Sequence, residues 1–549
     1  MVELSYPGVY ITEVSQTAPA ITAAPTSNAA FIGITAKGPA EKAYAVTSFT
    51  EFVDTFGDFT TKKALKLTDV QGGDEVYLPY AVWAFFQNGG RMCYIIRLAP
   101  GADYASFDVP SEGGGEKAFT IKARSPGVDA NDLSVAITKG TMSSEEKPSY
   151  KVEVKTRDGR DVLETFDGVT THKDDDNSIE TTINDSSRHI EIKDLTPESK
   201  LELNPPDEGI EDGAGGGGAT TGGGGGGTLL LQPPKPGYKL SEQHPGTPGR
   251  DVQIPDILKQ LDAGRSALDE ITDVSLIAAP GYASYEVINA GFNYAERHRN
   301  SLGDAFFIAD VPSGLKNQNQ VKDFVRDSQF QPGNSGYGAL YFPWIQARDR
   351  VAKGRNPKIL LPPSGFVAGV YARIDNVRGV WKAPAGTEAT VSGGLELDVK
   401  LTDQQQGIIN LAGVNALRYF PGYGTVVWGA RTVSSANIAW RYVPVRRMAN
   451  FLKSSIYDGI KWAVFEPNDG PLWDALRLSI GGFMLDLFRQ HAFQGATPQE
   501  AFFVKCDRDT TSETDQQNGI VNVLVGFAPL KPAEFVVVKL SQKVERQQT

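Results

Sequence analysis

Between residues 273 and 342, short, wholly apolar runs alternate with stretches of helical periodicity. No other feature of the chain constrains its fold as much. Asp273-Val-Ser-Leu-Ile-Ala-Ala-Pro280, Ala305-Phe-Phe-Ile-Ala-Asp310 and Gly338-Ala-Leu-Tyr-Phe342 read as buried strands, with helices expected over 254–261 and 286–300. A strand that is apolar on both faces must be covered on both, so the pattern predicts a mostly parallel sheet between helical layers. The same alternation fills 26–105. Ala29-Ala-Phe-Ile-Gly-Ile34 and residues 92–98 read as strands, and 78–87 as a helix. Ser48 and Glu51 have the spacing of a capping box ahead of Phe49, Phe52, Val53 and Phe56.

Composition shifts between 106 and 250. That stretch holds 26 acidic against 16 basic residues, so it carries most of the net charge of −12. Strands are expected over 119–123, 133–138 and 150–155, followed by Asp174-Asp-Asp176 and two glycine runs, 213–218 and 222–227. A phosphate-binding reading of the glycines fails, because Thr228-Leu-Leu-Leu-Gln-Pro-Pro follows in place of Gly-Lys-Ser/Thr and a helix. The segment reads as a β-rich insertion with a flexible tether.

The last third returns to mixed structure. Pro362 and Pro363 stop a strand, Ser364 can cap, and Phe366, Val370 and Ile374 form a helical stripe. A short helix over 401–409 precedes strands at 416–420 and 425–431. Long helices are then expected over 445–465 and 471–490. The chain ends on two strong strand signals: Val521, Val523, Val525 and Phe527 alternate onto one face, and Phe535, Val536, Val537, Val538 and Leu540 follow a proline corner. Near the start, Tyr6-Pro-Gly-Val-Tyr-Ile-Thr-Glu-Val14 is likewise extended and β-prone. A strand-like arm at each end can pair within the subunit or be donated to neighbouring copies.

Several functional classes are disfavoured. A net acidic chain lacks the concentrated basic surface of a nucleic-acid binder. Cys93 and Cys506 are too few for a disulfide framework or a cysteine-ligated metal site. No apolar run approaches the roughly 18 residues needed to span a bilayer, so no membrane insertion is expected. The opening residues lack the basic and apolar regions of a secretory signal, which predicts synthesis in the cytoplasm. His172, His189, His244, His298 and His491 are scattered without metal-ligand spacing, and Gly-Asn-Ser335-Gly-Tyr misses a nucleophile elbow by one residue. His298 reads as part of a solvated helix face. Asp310 and Ser313, at a strand end where α/β sheets bind ligands, read as a turn and a helix cap. An α/β hydrolase is therefore the weaker reading, and neither an enzyme nor a cofactor is expected.

The residues in 362–375 (PPSGFVAGVYARID), 378–386 (RGVWKAPAG), 401–420 (LTDQQQGIINLAGVNALRYF), 426–432 (VVWGART) and 442–469 (YVPVRRMANFLKSSIYDGIKWAVFEPND) closely resemble tail sheath proteins. These are the contractile sheaths of phage tails, R-type pyocins and related injection particles. PGVYITEV at 7–14 resembles the family's N-terminal arm, and 274–281 and 339–345 its middle domain. Residues 106–250 resemble nothing in it.

The resemblance implies an α/β and α+β multidomain chain. Residues 1–20 would be an N-terminal arm, 21–105 with 251–359 a middle α/β domain, and 106–250 an outer acidic insertion. Residues 360–533 would be an inner C-terminal α+β domain and 534–549 a C-terminal strand. It implies a helical homo-oligomer of stacked hexameric rings around an inner tube protein, with baseplate and terminator proteins as further partners. A non-contractile shell protein is the alternative. Val9, Tyr10 and Ile11, with Phe535, Val536, Val537, Val538 and Leu540, would be the donated strands. Residues 361–549 hold 19 basic against 17 acidic residues, a small positive excess inside an acidic chain. Arg446, Arg447, Lys453 and Lys461 are accordingly the expected contacts to an acidic tube, with the 471–490 helix as the substitute.

Overall fold

The computed structural model describes residues 19–70, 73–111, 117–143, 148–156, 161–196, 201 and 238–535. Its centre is an eight-stranded sheet. In spatial order the strands are Gly424–Val427, Val414–Phe420, Gly338–Phe342, Phe306–Asp310, Leu276–Ala278, Ala29–Gly33, Cys93–Arg97 and Ala43–Val46. The two outermost strands pair antiparallel to their neighbours, and every pairing between them is parallel.

Alternation along the strands sends side chains into two separate cores. Ala29 and Phe31 face one layer, with Phe52, Phe85, Phe366 and Val370 from the helices Phe49–Phe56, Leu78–Gln87 and Ser364–Arg378. Ala30 and Ile32 face the other, with Ile257, Phe292, Val321 and Ile409 from Ile254–Gln260, Tyr285–Ser301, Gln318–Arg326 and Asp403–Leu411. Two of these helices approach very closely: a Cβ on Gly365 would stand 2.5 Å from the Ala81 Cα. Ser48 caps its helix, its hydroxyl accepting from the Glu51 N–H at 3.1 Å. The Glu51 carboxylate reaches one residue beyond the expected box and accepts from the Thr47 N–H at 2.8 Å.

The sequence drew the start of the C-terminal unit at 360. The structure moves it, because Ser364–Arg378 covers one face of the central sheet and Val414–Val427 extends its edge. The separate C-terminal unit begins with the Val443–Gly459 helix. There Met448, Phe451 and Leu452 pack against Ile480, Phe483, Met484 and Leu487 of the Gly470–Arg489 helix. A two-stranded antiparallel sheet, Phe502–Lys505 with Leu524–Phe527, lies against this pair.

The insertion folds around its own core. A three-stranded sheet (Tyr104–Pro110, Lys117–Pro126, Ile190–Lys193) and a four-stranded one (Tyr238–Lys239, Leu133–Lys139, Tyr150–Thr156, Val162–Val169) share Phe119, Ile121, Val135, Val152 and Ile183. Arg97 joins insertion to body, donating to the Gly38 carbonyl at 2.6 Å and the Pro126 carbonyl at 3.0 Å. The glycine runs lie outside the described residues.

Three further local expectations need correction. The 445–465 helix stops at Gly459, where a Cβ would stand 2.7 Å from Ile21 of the N-terminal segment, and a short 3-10 turn, Lys461–Ala463, follows. The 520–528 strand is ordered as strand only over Leu524–Phe527, the length of its partner. His298 is buried, not solvated: its helix breaks at 298–300, and Nδ1 lies 2.7 Å from Asp304 Oδ1.

Candidate assembly surfaces

The two-stranded sheet of the C-terminal unit is short of strands. Phe502, Val504, Val523, Val525 and Phe527 turn inward onto the helices, while Phe503 and Leu524 face out, 48% and 53% exposed. Among the described residues neither outer edge is covered by another strand. Such a sheet is marginal alone and offers backbone donors and acceptors on both sides.

Residues 19–26 and Glu534, near the two limits of the described residues, are each tied down. The Pro19 carbonyl accepts from the Ser479 hydroxyl at 2.6 Å, the Ala24 N–H donates to Ser455 Oγ at 3.0 Å, and the Thr26 carbonyl accepts from Arg447 at 2.8 Å. The N-terminal segment therefore enters across both long helices. At the other end Glu534 is clasped by Arg431 through Nε at 2.7 Å and Nη2 at 2.6 Å, by Asn410 at 2.7 Å and by the Tyr442 hydroxyl at 3.2 Å. Burial alone would raise the Glu534 pKa, but these donors outweigh it and hold the carboxyl below its ordinary value. Phe535 then points away, 74% exposed. The arm residues Val9, Tyr10, Ile11, Val536, Val537, Val538 and Leu540 lie outside the described residues.

The basic face expected to grip a tube is largely spent inside the subunit. Arg447 pairs with Asp375, 2.9 Å from Oδ1, and its guanidinium lies over Tyr371; both members of the pair are buried. Arg446 stacks on Trp440, 3.4 Å from the ring centre, and burial pulls its pKa down to about 10. Lys453 donates to the Leu302 and Gly303 carbonyls at 2.9 and 3.0 Å and to the Tyr337 hydroxyl at 2.8 Å. These three hold the Val443–Gly459 helix to the central body and are unavailable to a tube. Lys461 alone of the four is exposed, beside Asp458 at 2.8 Å. Asp458 also bonds Arg299, which reaches back to Asp304.

The Gly470–Arg489 helix has one buried and one outward face. Leu472, Leu476, Ile480, Phe483, Met484 and Leu487 are buried, whereas Asp474, Leu478, Gly482 and Arg489 lie outward. Leu478 is 64% exposed, and nothing approaches Gly481 or Gly482.

Of the two strand-end residues, Asp310 is engaged within the fold and Ser313 is not. Asp310 is buried and accepts from the Ser364 N–H and hydroxyl, both at 2.8 Å, and from the Gly281 N–H at 3.2 Å. Burial drives its pKa up to about 7 against those donors. Ser313 is exposed. Among the described residues no cluster of three His, Cys, Asp or Glu could hold a metal, and no helix is long and apolar enough to cross a membrane.

The described residues thus form a mixed α/β body that carries a two-stranded peripheral sheet. Family comparison agrees: residues 253–433 match the phage tail sheath protein central domain and 435–543 the phage tail sheath C-terminal domain. The chain belongs to the tail sheath protein family. It is 28% identical over 179 residues to the tail sheath protein of Vibrio phage KVP40, covering 32% of this chain and 25% of that protein. It is 26% identical over 190 residues to that of Burkholderia phage BcepMu, covering 34% and 36%. The matches thus span about a quarter to a third of those relatives. The fold extends further. The contracted PVC sheath of an extracellular contractile injection system aligns over 99% of both chains at TM-score 0.55 and 21% identity. A sheath tail protein from Listeria innocua aligns over 93% of this chain and 96% of its own at TM-score 0.56 and 12% identity.

Proposed function

We propose that the chain is the structural subunit of a contractile sheath, a helical homo-oligomer of stacked hexameric rings that encloses an inner tube and drives it through a target envelope. The observation that carries this reading is the two-stranded sheet, neither edge of which is covered by another strand among the described residues, in a subunit that also anchors residues 19–26 and Glu534. Donation of residues 7–14 and 534–541 to neighbours would complete such a sheet by β-augmentation. Each added backbone hydrogen bond is worth about 0.5–1.5 kcal/mol net, a sum that multiplies over the assembly.

The work requires no nucleotide or cofactor. A sheath assembled in a less favourable packing releases free energy when its subunits shift to a better one, with the hydrogen-bonded arms keeping neighbours linked. Baseplate and terminator proteins would set the two ends, and assembly would take place in the cytoplasm of the producing cell. The tube contact passes from Arg446, Arg447 and Lys453 to the outward face of the Gly470–Arg489 helix around Leu478 and Gly482, with Lys461 at its margin.

The test is electron microscopy of the full chain co-produced with its tube, baseplate and terminator proteins. Regular sheaths of two lengths, extended and contracted, are the expected result. A chain that stays monomeric beside complete tubes and baseplates would overturn the reading.

A further inference from the structure

Phe465 is the most conspicuous side chain on the surface. It is fully exposed, at 102%, and its backbone sits in the left-handed region at φ 71°. A bulky aromatic residue in that region is strained, and its ring gains nothing from water. Beside it Val464 is 63% exposed. The base of this loop is nevertheless firm, because Trp462 and Ala463 pack against Leu472, Trp473 and Leu476. The result is a rigid apolar knob just ahead of the Gly470–Arg489 helix, with Glu466 beside it.

At the opposite end of that helix lies a groove of about 970 Å³. Its walls include Trp381, Trp428, Tyr442 and His491; Lys382 and Lys531 also line it, as do Asp403 and Glu534, whose carboxylates are paired with Arg418 and Arg431. Trp428 is 37% exposed. Twenty residues of helix place knob and groove about 30 Å apart, so a subunit's own knob cannot enter its own groove. An apolar knob with an acidic neighbour faces outward at one end; an apolar groove with basic side chains opens at the other. Unlike surfaces that complement each other generate head-to-tail contacts, which repeat into rings or helices.

We propose that the Val464–Phe465 knob of one subunit seats in the Trp381–Trp428–Tyr442 groove of the next copy, with Glu466 against Lys382 and Lys531. This contact rests on the sheath reading and adds to strand donation a side-chain contact between successive subunits. It also gives the strained Phe465 backbone a purpose: it aims the ring at a pocket on another molecule.

The test uses paired cysteines in the full chain. Native Cys93 and Cys506 are buried, so background labelling is low. Sheaths carrying both Phe465→Cys and Trp428→Cys, treated with a short bismaleimide, should run on denaturing gels as a ladder beyond dimer. Sheaths with either substitution alone should give no ladder. An equal mixture of the two single variants should stop at dimer, since each chain then offers one usable end. Separately, Phe465→Ala should leave the thermal midpoint within a few degrees, as expected for an exposed site, and raise the concentration needed for assembly about tenfold, with Phe465→Leu partly restoring it. Assembled sheaths without a ladder, cross-linking of Phe465→Cys to the tube protein instead, or wild-type assembly by Phe465→Ala would each overturn the contact. Wild-type protein run in parallel separates the failures: if it too forms no sheath, the sheath reading has failed and this contact goes with it.

Discussion

The acidic insertion and the C-terminal unit both hang on the same α/β body, yet they treat their surfaces in opposite ways. The insertion closes two sheets on a private core, and Met142, Val162 and Leu163 are its exposed large apolar side chains among the described residues. The C-terminal unit leaves Val464, Phe465, Leu478, Phe503 and Leu524 in water and keeps a sheet of two strands. One unit is finished by its own residues; the other is finished only by something else. Contiguous exposed apolar surface marks interaction sites, whereas net charge keeps particles apart. We propose a division of labour on this basis: the C-terminal unit assembles, and the insertion solvates.

The sharpest way to break this comparison is to remove the strands that would complete the unfinished sheet. Deleting residues 1–14, or 534–549, is expected to abolish sheath formation while leaving a folded monomer with a near-native circular dichroism spectrum. Among the described residues, the central sheet and both its cores draw on residues between Ala29 and Val443. Normal tubes from both truncations would show that the edges are capped some other way.

A second measurement probes how the open unit is held to the body. Asp375→Ala strands the buried Arg447 guanidinium, and an unpaired buried charge costs about 3–5 kcal/mol. The denaturation midpoint should drop accordingly. Hydrogen exchange should quicken in the Val443–Gly459 helix and stay unchanged in the insertion strands Leu133–Lys139 and Tyr150–Thr156. Equal loosening of both regions would erase the distinction drawn between them.

This junction is also where sequence reasoning failed, and the reason is physical. Periodicity treats a basic residue as a solvent-facing one, so Arg446, Arg447 and Lys453 read as a free surface. The partners of two of them lie far along the chain: Asp375 is 72 residues from Arg447, and the Leu302 carbonyl is 151 from Lys453. The central sheet was legible for the converse reason. Its strands are apolar on both faces, and that pattern has few other solutions. The Ile179–Ser186 helix escaped notice because Ile179 and Ile183 are its whole apolar face. The close approach of Ile21 to Gly459, the last residue of the 17-residue helix, was hidden too, since the two lie more than four hundred residues apart. Phe465 could be read as part of a family-like stretch, but its left-handed backbone has no sequence signature.

A smaller effect is expected where the C-terminal arm leaves the body. Glu534→Gln keeps the shape and removes the charge that Arg431 clasps. Hydrogen bonds to a charged group are the stronger kind, and partial solvation trims them here, so about 1–2 kcal/mol of arm docking should be lost. The wild-type pH dependence has a definite sign. Because the folded pKa lies below the ordinary carboxyl value of 4.5, the contribution is complete above that value and is lost as pH falls through the folded pKa. Limited proteolysis near residue 535 should therefore speed up on acidification in the wild type. In Glu534→Gln it should already be fast at neutral pH and respond little to acid.

The smallest effect on assembly should come from the largest deletion. The insertion's core draws on residues between Ala105 and Leu240; Arg97 contributes hydrogen bonds at the seam, and Lys62 pairs with Asp251 just beyond it. Replacing 106–250 with a short Gly/Ser linker removes 26 acidic and 16 basic residues, yet leaves the central sheet, the C-terminal unit and both arms intact. Tubes should form at the wild-type concentration and contract on the same trigger, while the precipitation threshold in salt falls, because a charge of about −10 per subunit no longer keeps sheaths apart. Arg97 would lose its Pro126 partner but keep the Gly38 carbonyl, so the body should unfold within about 1–2 kcal/mol of its original stability. If tubes fail while the monomer still folds, the insertion bridges subunits, and its sealed core serves assembly after all.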